Sequence, residues 1–249
     1  VEFTVGDAVI GVNMPDRDVL LAEVARRFAA GEGFALATLN LDHLVKLKSD
    51  QGFREAYQAQ DLVTADGNPI VWLSRVAGQE VALVPGSDMV EPLCRVAAAA
   101  GVGVAMVGGR DEVLARAAEQ LEARVPGLRI LCRIAPPMGF DPGSDAAEAV
   151  LREVADSGAG LCFLALGAPK QEILAARGRV IAPHVGFAGV GAGIDFVTGA
   201  QVRAPGWVRA IAMEWLWRAA GNPKRLAGRY WRAGCALPGL WLQARRQRV

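Results

Sequence analysis

Histidine and cysteine are scarce in this chain of 249 residues, which holds two His and four Cys. Cys94, Cys132, Cys162 and Cys235 stand thirty residues or more apart, with no Cys-x-x-Cys or Cys/His spacing suited to structural zinc. His43 and His184 alone do not readily build a His-rich metal centre or a Ser-His-Asp triad. The cysteines therefore read as reduced core residues of a cytosolic protein. Long hydrophobic runs are missing too. The longest uncharged apolar stretch, residues 180–194, is 15 residues with four glycines, a proline and a histidine, and a spanning helix needs about 20. Glu2 and Asp7 stand where the basic segment of a secretion signal would lie, so no leader is expected. An apolar fraction of 52% with 21% charged residues excludes intrinsic disorder. This length suits one large domain, or one with an appendage, that buries its core without disulfides.

Acids are nearly absent from the C-terminal fifth. Residues 201–249 hold ten basic residues and one acid, Glu214, for a net +9, and five of the six tryptophans. Residues 1–200 hold 17 basic and 25 acidic residues, a net −8. Tryptophan interleaved with arginine suits an anionic membrane surface, a helical cap with a solvated basic face, or nucleic acid. Composition leaves all three open.

What is present in residues 1–200 is alternation. The runs 34–38, 103–107, 128–132 and 160–166 read as buried strands, and 111–124, 144–157 and 169–178 as helices between them. Asp111 and Ser144 suit N-caps and Pro169 a first turn. Such alternation predicts a mostly parallel, Rossmann-like α/β sheet with helices on both faces. After Gly199 no strand signal remains. A helix is expected over 207–220 and another from Pro223 to about Ala233, with Pro238 interrupting before Leu240. The division expected is a catalytic α/β body, 1–200, and a helical appendage, 201–249.

In a parallel sheet, chemistry gathers beyond the carboxyl ends of the strands. Thr38-Leu-Asn40 follows the first buried strand, where Asn40 either binds ligand or caps the next helix. Thr64-Ala-Asp66-Gly67 follows Leu62-Val63; its carboxylate suits a general base for an alcohol, or simply an Asp-Gly turn. Val107-Gly108-Gly109 joins a strand to a helix and exposes backbone N–H groups to an anion. Gly167-Ala-Pro169-Lys170-Gln171-Glu172 opens another helix, where Gln171 offers donor and acceptor together. Gly189, Gly191 and Gly193 alternate, so something approaches that backbone closely. No dinucleotide fingerprint or Walker A loop is present. Asp16-Arg-Asp18 reads as the acidic start of a helix more than as a metal-binding pair.

Taken in order, these segments resemble the WecG/TagA/CpsF family of bacterial glycosyltransferases. The resemblance runs through Thr38-Leu-Asn40, Ala65-Asp66-Gly67, Pro85-Gly86-Ser87-Asp88, Val107-Gly108-Gly109, Gly139-Phe140, Gly167–Glu172, Gly189–Gly193, Asp195-Phe196, Arg203-Ala-Pro205, Glu214–Arg218 and Pro223–Tyr230. It covers nearly the whole chain. Leu83, Asn68-Pro69, Ile194 and Gly228 depart from the family's usual residues.

The resemblance implies an inverting, metal-independent enzyme without a cofactor. It would move N-acetylmannosamine, its uronic acid or glucose from a UDP-sugar to a lipid-diphosphate-linked saccharide, in cell-surface polysaccharide biosynthesis. Asp66 takes the catalytic-base position, with Thr38 and Gln171 lining the same pocket. Asn40, Gly108, Gly109, Gly139, Gly167, Pro169, Glu172, Gly191 and Asp195 fall where the nucleotide-sugar would bind. Arg203, Arg218, Arg225 and Arg229 fall where the diphosphate or the acceptor would bind. The partner implied for the basic tail is the anionic inner face of the cell membrane, held peripherally, and not nucleic acid; a homo-oligomer is compatible. The alternative is a noncatalytic paralogue that binds nucleotide-sugar or lipid.

Overall fold

The computed structural model describes residues 1–201 and 223–248, with the side chains of 223–227, 229 and 230 left aside. Six parallel strands form the central sheet in the order β4-β3-β8-β7-β5-β6. They are β3 (Phe34–Leu39), β4 (Leu62–Ala65), β5 (Gly103–Val107), β6 (Ile130–Ile134), β7 (Ala159–Leu164) and β8 (Gly186–Gly189). Around them lie α1 (Arg17–Ala30), α2 (Leu41–Leu47), α3 (Gln51–Gln58), α4 (Asn68–Val76), α5 (Gly86–Ala99), α6 (Asp111–Arg124), α7 (Asp145–Asp156), α8 (Lys170–Ile181) and α9 (Gly193–Thr198). The expected parallel α/β architecture is what the chain adopts.

Burial on both faces explains the continuous apolar strands. All six residues of β3 are buried. Phe34 and Leu36 point to one face, into a core with Val24, Leu93, Met106, Leu114 and Phe163. Ala37 and Leu39 point to the other, among Leu44, Phe53, Tyr57, Val63 and Ile70. A third cluster, with Val107, Leu151, Leu164, Leu174 and Phe187, fills that second side under α7 and α8.

Several local expectations are corrected. The strand expected at 128–132 begins at Ile130, because Leu128 closes a turn onto Val125 (3.1 Å) and the Glu122 carboxylate accepts from Ile130 N–H (2.9 Å). Asp111 is the first residue of α6 rather than its cap; Arg110 holds that position. Ser144 caps α7 as expected. Cys94 and Cys162 are core residues, whereas Cys132 is half-buried and Cys235 is exposed. Asp16 caps α1, accepting from Val19 N–H at 2.8 Å. An antiparallel hairpin, β1 (Glu2–Val5) and β2 (Ala8–Gly11), precedes the sheet. It went unread although Phe3, Val5, Ala8 and Ile10 are buried at alternate positions on either side of the Gly6-Asp7 turn.

The C-terminal helix, α10 (Pro223–Arg246), continues through Pro238, where a break was expected; the helix expected over 207–220 lies outside the described residues. Proline inside a helix costs about 3 kcal/mol, and here docking offsets it. α10 packs against α2, α4 and β1, burying Ala233, Leu240 and Ala244. Gln243 and Gln247 zip onto the free edge of β1. Gln243 accepts from Thr4 N–H (3.0 Å) and donates to Thr4 O (3.2 Å); Gln247 accepts from Glu2 N–H (3.0 Å) and donates to Glu2 O. Four helical residues advance about 6.0 Å and two strand residues about 6.6 Å, so the repeats match.

Leu240→Ala should therefore lower unfolding free energy by about 2–5 kcal/mol, as at a buried core leucine, measured by urea denaturation. A loss no larger than that of an exposed leucine would mean that α10 is not docked.

Candidate functional site

The sheet brings the carboxyl ends of β4, β3 and β8 side by side. The chain steps from β3 outward to β4 and then crosses to β5 beyond β8 and β7, so strand order reverses beside β3. That reversal opens a crevice of the kind that binds ligands in open α/β sheets.

Thr38 is the fifth residue of β3 and 4% exposed, and Asp66 directly follows β4. Asp66 N–H extends the sheet by donating to Leu39 O at 2.8 Å. Its carboxylate accepts from Thr38 Oγ1 at 3.3 Å. Gly67 then turns the chain into α4 with φ 111°, a region closed to most side-chain-bearing residues. Asn40 resolves as a cap: its Oδ1 accepts from His43 N–H at 3.0 Å. Thr64 is turned away, donating to Val84 O at 2.9 Å.

On the other side of β3, Gly189 ends β8 and touches two elements. A Cβ on Gly86, at the start of α5, would lie 2.7 Å from Gly189 O and 3.1 Å from Thr38 Cγ2. A Cβ on Gly189 itself would lie 3.0 Å from Gln171 Nε2. Close approach to backbone thus demands glycine at 86, whereas a Cβ at 189 would make the Gln171 side chain shift by a few tenths of an ångström. Gln171 is the second residue of α8 and 4% exposed. Its Oε1 accepts from Gly191 N–H (3.1 Å) and its Nε2 donates to Glu172 Oε1 (2.9 Å). Gly167 starts the turn before it and accepts from Gln171 N–H at 3.3 Å; Pro169 occupies the N-cap position.

Thr38, Asp66, Gln171, Gly191, Gly167 and Pro169 therefore gather at these strand ends, with Asn40 at the edge; Glu172, expected among the nucleotide-sugar residues, is instead enclosed at 1% exposure with its Oε1 accepting from Gln171, so it lies beneath the crevice and not on it. Gly139 is exposed and makes no contact of its own with them; beside it, Lys170 Nζ donates to Phe140 O at 2.7 Å, so that lysine is engaged by the chain itself. Gly108 and Gly109 follow β5, two strands from β8; a Cβ on Gly108 would lie 2.5 Å from Ala165 O, against the loop after β7, and Gly108 N–H, expected to face an anion, donates to Ile134 O at 2.9 Å. Asp195, in α9, instead accepts from Gln201 Nε2 at 2.8 Å. Arg203 and Arg218 lie outside the described residues. Arg225 and Arg229 belong to the first two turns of α10. Among the described residues, no group of three or more His, Cys, Asp or Glu is arranged to hold a metal ion.

Beneath the crevice is a buried polar layer in which the sequence analysis singled out Glu172 alone, and as a ligand-binding residue, without His43, Tyr57 and Gln60. His43 Nδ1 and Tyr57 Oη share a hydrogen bond at 3.0 Å. Burial pushes the Tyr57 hydroxyl well above its usual range, and the charges of Glu172 and Asp66 push it further. Gln60 Nε2 donates to Ala56 O (2.7 Å) and Glu172 O (3.1 Å). Glu172 is 1% exposed. Burial raises its carboxyl to about 7, against smaller opposing effects of Gln171, its own N–H and Lys46. The available signal was rarity, since one of two histidines meets one of two tyrosines here.

The folded chain holds the Glu172 proton more tightly than the unfolded chain, whose carboxyl titrates near 4.5. Its stabilising contribution is therefore complete below pH 4.5 and lost as pH rises through 7, by about 3 kcal/mol at most. Glu172→Gln should reduce the difference in unfolding free energy between pH 5 and pH 8 by that order. An unchanged difference would show that this carboxyl is ionised in the folded chain throughout.

A family profile described as "Glycosyl transferase WecG/TagA/CpsF family" matches residues 8–249. That span takes in every strand of the central sheet, the whole crevice and α10. The chain belongs to the WecG/TagA/CpsF family of glycosyl transferases.

Proposed function

We propose that this glycosyltransferase is inverting and metal-independent. It moves a sugar (N-acetylmannosamine, its uronic acid, or glucose) from a UDP-linked donor to a lipid-diphosphate-linked saccharide during cell-surface polysaccharide biosynthesis. The observation that carries the reading is the Thr38–Asp66 pair, 3.3 Å apart at adjoining strand ends and opposite Gln171. An acceptor hydroxyl oxygen attacks C1 of the sugar from the face opposite UDP. The bond between C1 and the phosphate oxygen breaks, UDP leaves with the electron pair, and configuration inverts. Asp66 takes the hydroxyl proton as general base, with Thr38 holding its carboxylate. The backbone N–H groups of Gly109 and Gly167 suit the donor's phosphates, whereas that of Gly108 is spent on Ile134 O at 2.9 Å. Arg203, Arg218, Arg225 and Arg229 are assigned to the diphosphates, for which guanidinium forks are well shaped.

Residues 201–249 form the appendage of this reading, lying on the inner face of the membrane. No helix among the described residues is long and apolar enough to cross a bilayer. The side of α10 opposite Ala233, Leu240 and Ala244 carries Trp231 (75% exposed) and Leu242 (51% exposed), flanked by Arg245 and Arg246. Arg245 lies over the Trp241 ring at 5.3 Å. Apolar rings with arginines beside them suit headgroup depth and anionic lipid.

Two measurements test the reading. With EDTA present throughout, Asp66→Asn should lose ~10²–10⁴-fold in turnover while still binding UDP; near-normal turnover removes Asp66 as the base, and loss of wild-type activity to EDTA removes metal independence. In liposome co-sedimentation, the wild type should bind anionic vesicles better than neutral ones, and less as salt screens the charge. The double variant Trp231→Ser, Leu242→Ser should bind weakly; sedimentation equal to wild type would make α10 a structural cap only.

A further inference from the structure

We propose that Glu172 is a positioning residue: its buried carboxyl sets the orientation of the Gln171 carboxamide and so fixes the crevice wall opposite the Thr38–Asp66 pair. This rests on the proposed role of that crevice in sugar transfer.

A carboxamide has two faces of opposite hydrogen-bonding character. Gly191 N–H, a donor, requires Oε1 on its side at 3.1 Å. Glu172 Oε1 accepts from Nε2 on the other side at 2.9 Å. A half-turn of the carboxamide would set donor against donor at Gly191 and, with Glu172 ionised, acceptor against acceptor. The two contacts therefore agree on one orientation. Protonation relaxes one of them, because a neutral carboxyl offers a hydroxyl that can donate to Oε1 of a turned carboxamide. Glu172 Oε2 has no hydrogen-bond partner although it is fully enclosed. An unpartnered enclosed acceptor is costly, and the proton enters there; a half-turn of the neutral carboxyl then presents its hydroxyl to Gln171 in place of Oε1.

The surroundings leave this proton under local control. From α2, Lys46 draws Glu172 toward ionisation, although it also pairs with Asp42 at 2.9 Å. From α3, Tyr57 stands between the influences of Glu172 and Asp66 and bonds His43. From α7, Glu148 faces Arg177 farther along α8, at 3.7 Å. β3 and β8, which also pack on α8, bring no ionisable side chain. On α8 itself, Lys170 is held by Phe140 O.

The test uses the full chain, its Glu172→Gln variant and two readouts. The first is the side-chain amide NMR signal of Gln171, assigned by its loss in Gln171→Met. In wild type it should titrate with a midpoint near pH 7, and in E172Q it should not titrate in that range. This arm needs no enzymatic activity, so it decides the proposal even if the assignment to sugar transfer fails. The second is kcat/KM against pH with the donor and acceptor that support turnover. Wild type should show an acid-side fall centred near pH 7 that E172Q lacks, and E172Q should be about tenfold slower at pH 8, the difference between a charge-assisted and a neutral hydrogen bond. A merely structural role would lower thermal stability without moving either pH midpoint. A Gln171 signal that does not titrate near pH 7 in wild type, or that titrates alike in both proteins, overturns the proposal. So does an acid-side fall that persists unchanged in E172Q.

Discussion

The contact of Gly86 with Gly189 and Thr38 is the constraint on which the site depends. Three elements far apart in sequence reach one point there: the end of β3, the end of β8 and the start of α5. Any side chain at Gly86 would press on a backbone carbonyl at 2.7 Å, and backbone inside a parallel sheet has little room to yield. With that distance closed, Thr38 is held within reach of Asp66 on one side of β3. Gln171 is held over Gly189 on the other. The candidate site is therefore built from the ends of rigid strands and the first turns of α4, α5 and α8, not from long loops.

Much of this was legible in the sequence, for a physical reason. β3, β5 and β7 are buried on both faces and read as uninterrupted apolar runs. Thr38 lies near the end of such a run, Gln171 comes shortly after one, and Asp66 follows the shorter apolar pair Leu62-Val63, so their gathering at one sheet edge follows from parallel topology. β6 was misplaced by two residues because an edge strand alternates, with Leu131 and Arg133 outward. The helix break expected at Pro238 rests on local backbone cost, and tertiary docking of Leu240 and Ala244 overrides it.

The fate of Glu172 was not legible. An acid in the first turn of a helix normally faces water and favours the helix dipole. Here α3 closes over α8, with Gln60 reaching the Glu172 carbonyl across 112 positions of sequence. Only the fold makes that acid an enclosed one. Asn40 shows the opposite case: a polar residue at a strand end, open to a ligand role by position, spends its side-chain oxygen on the next helix.

The glutamine ladder between α10 and β1 has a different kind of consequence. Gln243 and Gln247 read main-chain groups of Glu2 and Thr4, not their side chains. The junction is accordingly indifferent to which residues occupy the hairpin edge, but it is indexed like a toothed rack. Sliding the helix by less than a tooth breaks both pairs of bonds at once, and the next engaged position lies two strand residues away, about 6.6 Å. The outward face bearing Trp231 and Leu242 thus meets the body at discrete settings, and the distance from that face to the strand ends is a stepped quantity rather than a continuously adjustable one.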